Sequence, residues 1–242
     1  MSKKVWISRS QPGASALAHK LTIFKISVMQ MPVLNINPIN CPYPQERPRL
    51  VICLSGHAAR IYIDSSESLA NKNIKHLAIG RETASILGSR FASTLSPLDE
   101  RSEGVIGMKE VQEISAGEIV WLLTGRQGRG LVESALESTG CKLYRLALYE
   151  QVRTEVEGID PKNISCVVVG SAVGMRHVAE VWKRYKGEPS IPIIAPSSRV
   201  KKEAENLGFT DVYNVGSANV TDVSTFVKEF LAAHQQKKKA YF

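Results

Sequence analysis

The sequence predicts an α/β fold of two similar parallel-sheet domains that face each other across a cleft. Three observations carry this expectation. Short apolar, β-rich runs alternate with amphipathic stretches along the whole chain. Most of those runs end in a small loop of Gly, Ser or Thr that opens a helix. The pattern also recurs at an offset of 115 or 116 residues. Strands that alternate with helices and read as continuous apolar runs belong to parallel sheets covered on both faces.

The elements follow in order. Val5–Ser8 reads as a strand, and Gln11-Pro12-Gly13 turns it into a helix near Ala14–Phe24. Leu50–Leu54 is a strand, followed by Ser55-Gly56-His57 and a helix near Ala58–Ser65. His76–Ile79 leads through Gly80-Arg81-Glu82-Thr83 into a helix reaching about Arg90. Ser102-Glu103-Gly104 reads as a helix start with Ser102 as its cap. Ile119–Leu123 is a strand that Thr124-Gly125-Arg126 joins to a helix near Leu131–Ser138, and Lys142–Leu148 is the next strand. In the second half Cys166–Val169, Ile191–Ile194 and Asp211–Asn214 are strands. Gly170-Ser171-Ala172 precedes a helix through Trp182, and Pro196-Ser197-Ser198 one to Leu207. Val223–Ala233 closes the chain as a helix, with Thr221 or Asp222 as its cap.

The recurrence rests on three segments. Leu50-Val51-Ile52-Cys53-Leu54-Ser55-Gly56 resembles Cys166-Val167-Val168-Val169-Gly170-Ser171-Ala172. Ile79–Thr83 resembles Ile194–Ser198, and Val5-Trp6-Ile7-Ser8 resembles Val120-Trp121-Leu122-Leu123. A match between two apolar strands means little alone, but a shared offset points to a duplicated architecture. Two other stretches break the alternation. Pro32–Pro48 carries five prolines without a helical period, and Tyr149–Pro161 is polar with Gly158 near its end. They place hinge segments at about 32–38 and 146–154. Residues 36–153 are then an inserted α/β domain, and residues 1–35 plus 154–242 a discontinuous one.

Bulk properties narrow the function. A chain of 242 residues accommodates two domains, and its 43% hydrophobic and 22% charged residues exclude disorder as the default. No apolar run is long enough to span a bilayer, and the stretch Met1–Arg9 lacks the apolar core of an export signal. The expected compartment is the cytoplasm. Cys41, Cys53, Cys141 and Cys166 have neither Cys-x-x-Cys spacing nor an accompanying His pair, so no metal site and no disulfide framework is expected. A net charge of +8 admits nucleic acid or a polyanionic small molecule as partner. Part of that excess sits in the tail Lys237-Lys238-Lys239. Without aromatic–basic interleaving or a nucleic-acid motif, the small molecule is the expected partner, with neither nucleic acid nor membrane.

Ligands of parallel α/β sheets bind at the carboxyl ends of the strands. The residues expected there are Ser8, Ser55-Gly56, Gly80, Thr124-Gly125, Gly170-Ser171-Ala172 and Pro196-Ser197-Ser198. Each loop precedes a helix, so free N–H groups and positive dipole ends converge on an anion-binding surface. For any single loop plain helix capping by Ser or Thr is the better account, and it is the six loops of one polarity that point to the cleft. Arg126 and Arg129 add charged forks, and His57 is the one histidine in a strand-end loop. Gly125–Gly130 fits neither a Walker loop nor the dinucleotide fingerprint, and no hydrolase triad is evident.

In their order and spacing these segments resemble the uroporphyrinogen-III synthase family over about residues 4–233. Ser8-Arg9-Ser10 is similar to the family's opening Thr-Arg-Pro, and Leu54-Ser55-Gly56-His57-Ala58 to its first Ser loop. Gly80-Arg81-Glu82-Thr83-Ala84 resembles its Gly-x-x-Thr-Ala, and Ser102-Glu103-Gly104 its Ser-Glu-Gly. Leu123–Arg129 resembles its Arg-Gly-x-x-Gly-Arg turn, and Leu148-Tyr149-Glu150 its Val-Tyr-Glu. Ser10 stands in place of Pro, Thr124 in place of Arg and Gly170 in place of Thr or Ser, while Ala195–Arg199 is a loose version of Gly-Pro-Thr-Thr-Ala.

The resemblance implies two flavodoxin-like domains joined by a two-stranded hinge, with the active-site cleft between them. It implies a cofactor-free hydro-lyase that cyclises hydroxymethylbilane, a linear tetrapyrrole with eight carboxylates, to uroporphyrinogen III with inversion of ring D. Tyr149 is then the expected catalytic residue, with Ser8, Arg9, Ser55, Gly56, His57, Gly80, Thr83, Gly125, Arg126, Arg129, Ser171, Ala172, Ser197 and Ser198 as the expected substrate-binding set. The expected state is a monomer in transient contact with hydroxymethylbilane synthase. The rival expectations are a non-catalytic two-lobed binding protein for a polyanionic small molecule and a nucleotide-dependent transferase using Gly125–Gly130.

Overall fold

The computed structural model describes residues 3–65, 74–127 and 130–239, leaving aside the side chains of 235–239. The chain forms two compact units, one from residues up to Asn35 together with those from Val152 onward, the other from Ile36–Gln151. The chain passes from one unit to the other within two strands, β3 (Leu34–Pro38) and β8 (Lys142–Arg153).

The discontinuous unit is a five-stranded sheet built from β1 (Lys4–Ile7), β2 (Val28–Gln30), β9 (Ile164–Val168), β10 (Ile193–Ala195) and β11 (Val212–Asn214). The spatial order is β2-β1-β9-β10-β11 and every pairing is parallel. In the unit's own chain order this is 2-1-3-4-5, the flavodoxin-like arrangement. Val5, Ile7, Cys166, Val168 and Ile194 pack on α1 (Gly13–Ile23) and α9 (Val220–Lys239). Trp6, Val167, Ile193 and Ala195 pack on α7 (Ala172–Arg184) and α8 (Ser198–Asn206). Neighbouring residues of a strand thus bury into opposite layers, which is why these strands are apolar at every position rather than at alternate ones.

The contiguous unit has β4 (Leu50–Cys53), β5 (Lys75–Ala78), β6 (Thr94–Leu95) and β7 (Ile119–Gly125) beside β8 and β3, in the order β3-β8-β7-β4-β5-β6. From β8 to β6 all pairings are parallel. Val51, Cys53, Trp121 and Leu123 face α2 (Gly56–Ser65) and α3 (Arg81–Gly88). Leu50, Ile52, Val120 and Leu122 face α4 (Ser102–Ile106), α5 (Lys109–Gln112) and α6 (Leu131–Glu137).

The sequence repeat reappears in the sheet order. The offset pairs β1 with β7 and β4 with β9, and it aligns the segments at the ends of β5 and β10. Under that correspondence β8-β7-β4-β5-β6 is the same sheet as β2-β1-β9-β10-β11. Trp6 and Trp121 hold equivalent places, each fully buried in the central strand that begins its repeat. Each unit is nevertheless assembled from parts of both repeats, because β1 pairs with β9 and β4 with β7.

Several local expectations change. β2 and β6 are edge strands of three and two residues that the apolar pattern does not mark. β8 runs on to Arg153, through a stretch expected to be hinge. Ser102 lies inside α4, and the position before it is Arg101, without a side-chain capping bond. Thr221 and Asp222 lie inside α9, whose first turn is held by Asn219 Oδ1 accepting from the Thr221 N–H at 2.7 Å. The helix also continues past Ala233 to Lys239.

His76 gives the contiguous unit a pH dependence. The ring is buried, 4.1 Å from the Phe91 ring centroid, with Nδ1 3.0 Å from the Ile74 carbonyl and Nε2 3.3 Å from the Tyr62 hydroxyl. Nδ1 therefore donates to the carbonyl and Nε2 accepts from the phenol, the pattern of a neutral ring. Burial lowers its pKa from 6.5 to about 4. The unfolded chain binds the proton more readily, so stability falls as pH drops from 6.5 towards 4, by roughly 3 kcal/mol. Urea unfolding of the wild type and His76→Gln at pH 7 and pH 4.5 checks this. The wild type should lose more stability between the two pH values, and equal losses would refute the assignment.

Candidate active site

In the contiguous unit the strand connections diverge between β4 and β7: β4 leads to β5 and β6 on one side, β7 to β8 on the other. Such a divergence opens a crevice at the carboxyl ends of the two strands. Ser55 follows β4 there, and Gly125 ends β7. Ser55 Oγ accepts from the Ala58 N–H at 3.1 Å and so caps α2.

Tyr149 reaches this place through an irregularity of β8. Thr124 pairs with Ala147, but Gly125 pairs with Tyr149, so Leu148 is an extra residue on β8. A bulge of this kind re-aims the side chain that follows it. Leu148 and Tyr149 consequently both pack on the α2/α3 face, where regular alternation would separate them. The Arg126 N–H donates to the Tyr149 carbonyl at 2.7 Å and locks the shifted register. The phenol then donates to Ser55 Oγ at 3.1 Å, and the His57 ring meets it edge to face at 5.5 Å. A Cβ on Gly125 would come within 2.7 Å of Tyr149 Cζ, so the ring can lie here only over a glycine. Tyr149 is 7% exposed. Burial raises its pKa above the ordinary phenol value, against the smaller opposing effect of the Ser55 bond.

Of the expected site residues in this unit, Ser55, Gly125, Tyr149 and His57 come together, and Gly56 opens α2 beside them. Three others are differently engaged. Gly80 is covered by Glu100, whose Oε1 takes a hydrogen bond from Arg81 Nε at 2.6 Å and whose Oε2 would lie 2.5 Å from a Cβ at position 80. The place expected to receive a ligand carboxylate thus holds the chain's own. Thr83 is buried within α3. Arg126 is paired with Glu150 at 2.5 Å rather than extended as a lone cation. Arg129 lies outside the described residues.

In the discontinuous unit the corresponding divergence lies between β1 and β9. Ser8 is buried there, and its hydroxyl donates to the Val168 carbonyl at 2.9 Å, so its proton is used inside the sheet. Arg9 lies across Gly170 and donates from Nη2 to the Ala218 carbonyl at 2.8 Å. Ser171 caps α7 by accepting from the Gly174 N–H at 3.0 Å, with Ala172 buried behind it as the first helical residue. Ser197 caps α8 by accepting from the Val200 N–H at 3.4 Å, and Ser198 Oγ accepts from Asn214 Nδ2 at 3.0 Å. The charge is also unevenly divided. This unit has 18 Lys and Arg against 10 Asp and Glu, whereas the contiguous unit balances 13 with 13. The whole formal excess of +8 therefore belongs to the unit with the α7 and α8 caps.

Two residues at these loops have no local sequence signal. Glu100 acts on Gly80 from twenty residues away, and Arg145 reaches from β8 to the loop after β7. Among the described residues no group of three or more His, Cys, Asp or Glu could hold a metal ion, and no helix is long and apolar enough to cross a membrane.

Fold and loops together define an α/β protein of two flavodoxin-like units whose strand ends present hydroxyls, helix starts and one buried phenol. A family model described as uroporphyrinogen-III synthase HemD matches residues 15–219. The chain belongs to the uroporphyrinogen-III synthase family, and its role is a catalytic one in haem biosynthesis. Solved structures share the fold. A mutant uroporphyrinogen III synthase from the extremely thermophilic bacterium Thermus thermophilus is similar at a TM-score of 0.63 with 13% identity, covering 97% of this chain and 100% of that one. A uroporphyrinogen-III synthetase from Helicobacter pylori gives 0.58 with 12% identity, covering 95% and 100%. No curated protein matches the chain in sequence.

The Gly125–Tyr149 contact is open to a direct test. Gly125→Ala keeps an ordinary backbone conformation but forces the phenol away from Ser55. Overpacking of this kind costs roughly 1–3 kcal/mol, so the variant should melt several degrees lower while remaining folded by circular dichroism. Unchanged melting would mean that the ring is not held over Gly125.

Proposed function

We propose that this chain cyclises hydroxymethylbilane to uroporphyrinogen III, with inversion of ring D and loss of water, as a cofactor-free hydro-lyase. The observation that supports it best is the buried Tyr149 phenol, 3.1 Å from Ser55 Oγ at the carboxyl end of the central strands. The hydroxymethyl group on ring A, at the end of the linear tetrapyrrole opposite ring D, must lose its hydroxyl. A phenol can donate a hydrogen bond to that oxygen as the C–O bond breaks and the oxygen leaves as water. With its pKa raised, the phenol keeps its proton at neutral pH, so the donor is always present. Ser55 supports the same step, because its oxygen already accepts from Ala58 N–H and its own proton is available to an incoming oxygen.

The harder task is geometric. The linear tetrapyrrole closes unaided to the uninverted isomer, so the protein must hold ring D so that its substituted α-carbon bonds first, giving a spiro intermediate. The older bond from that carbon to the neighbouring ring's methylene then breaks and re-forms at the free α-carbon, which loses its proton. Positioning and exclusion of water supply this control. The substrate's carboxylates suit N–H groups at helix starts, with Ser171, Ala172, Ser197 and Ser198 at α7 and α8 and Gly56 at α2 as the contacts we assign. Arg9, His57, Gly80, Thr83, Arg126 and Arg129 complete the proposed set, Gly80 only after Glu100 moves aside. The cationic excess of the discontinuous unit favours a polyanion in the same way. We take the chain to work as a cytoplasmic monomer that meets hydroxymethylbilane synthase transiently.

Porphobilinogen and its deaminase, supplied with and without this protein, test the reaction once the products are oxidised and resolved as isomers. Type III should form only with the protein, and type I alone in both samples would sink the proposal. Tyr149→Phe should slow type III formation about a hundredfold with melting close to wild type. Wild-type kinetics in that variant would remove Tyr149 from the mechanism.

A further inference from the structure

Arg145 stands on β8 one strand away from the β7–α6 loop and four residues before Tyr149. Among the described residues its guanidinium makes three contacts. Nε lies 3.0 Å from Glu133 Oε2 on α6, and Nη2 donates to the Gly125 carbonyl at 3.2 Å and to the Arg126 carbonyl at 3.1 Å. A guanidinium is planar and rigid, so a fork held at one end by a carboxylate fixes what its other end touches. Here it fixes two successive carbonyls.

Those carbonyls flank the structure on which Tyr149 depends. Gly125 is the floor under the phenol ring. The Arg126 N–H, in the peptide between the two carbonyls, donates to the Tyr149 carbonyl at 2.7 Å. The peptide that Arg145 grips is therefore the one that locks the bulge and seats the ring. A main-chain rotation at this peptide would tilt Gly125 and break the Arg126–Tyr149 bond together. The phenol would then swing off Ser55.

We infer that Arg145 is a positioning residue for the cyclisation: it holds the Gly125–Arg126 peptide so that the Tyr149 hydroxyl stays aimed at Ser55. This rests on the reading in which Tyr149 acts on the substrate. Glu133 is the anchor of the device, and Lys at position 145 can keep the Glu133 pair but offers no rigid fork to span both carbonyls.

The test compares Arg145→Met, Arg145→Lys and Tyr149→Phe with the double variant Arg145→Met/Tyr149→Phe, measuring kcat, KM and the ratio of type III to type I product. Arg145→Met should lower kcat on the order of tenfold to a hundredfold, with KM little changed, and type I should gain share as unaided closure overtakes. Arg145→Lys should show the same change in milder form and serves as the folded control if the Met variant aggregates. The double variant should be no slower than Tyr149→Phe, because both act through one phenol. Wild-type kcat and isomer ratio in both Arg145 variants, beside an impaired Tyr149→Phe, would overturn the inference alone. So would losses that multiply in the double variant. A fully active Tyr149→Phe would overturn the reading of Tyr149 and this inference with it.

Discussion

The absence of a side chain at Gly125 is the constraint from which the site in the contiguous unit follows. β7 and β8 meet there with Tyr149 directly opposite, and the space a Cβ would fill is taken by the phenol ring. Three features become mutually dependent. The bulge at Leu148 turns the tyrosine to the α2/α3 face, the Arg126–Tyr149 main-chain bond locks the shifted register, and the ring then spans to the hydroxyl that caps α2. A helix cap is an ordinary device worth about 1 kcal/mol, and a bulge is an equally ordinary way to re-aim a side chain. Joined through one phenol, they set a donor at the end of the central strands.

Much of the fold is legible in the residues, for a definite reason. The central strands are buried on both faces, so Val5-Trp6-Ile7, Leu50–Cys53 and Ile119–Leu123 are apolar throughout and stand out from the amphipathic helices. The edge strands β2 and β6 bury little and leave no such mark. The hydroxyl caps were readable where a Ser directly precedes a helix, as at Ser171 and Ser197. At Ser102 the same residue type sits one position too late, and the helix begins without a side-chain cap.

The site was legible only in part. Ser55, His57 and Tyr149 were marked by their segments, but not the geometry that joins them. A bulge is a one-residue shift between two strands, and neither strand alone records it. Glu100 over Gly80, Glu150 on Arg126 and Ala218 on Arg9 are contacts between positions far apart in sequence, which give these residues partners from the chain itself. Ser8, expected at an open strand end, spends its proton on the neighbouring strand. In each case the residue type was informative and its partner was not.

The way the repeats are shared between the units also sets the order in which the chain can be built. The contiguous unit has all its strands within a single stretch of sequence and can assemble as soon as that stretch leaves the ribosome. β1 cannot follow suit. It is a central strand, yet its partner on one side is β9, and Ser8 and Val168 are 160 residues apart. Until β9 is synthesised, Val5, Trp6 and Ile7 form one bare flank of a sheet not yet made, at the stage when unpaired apolar strands are most prone to associate with other chains. The few residues of β1 therefore bear a burden in the nascent chain that their complete burial in the finished protein conceals.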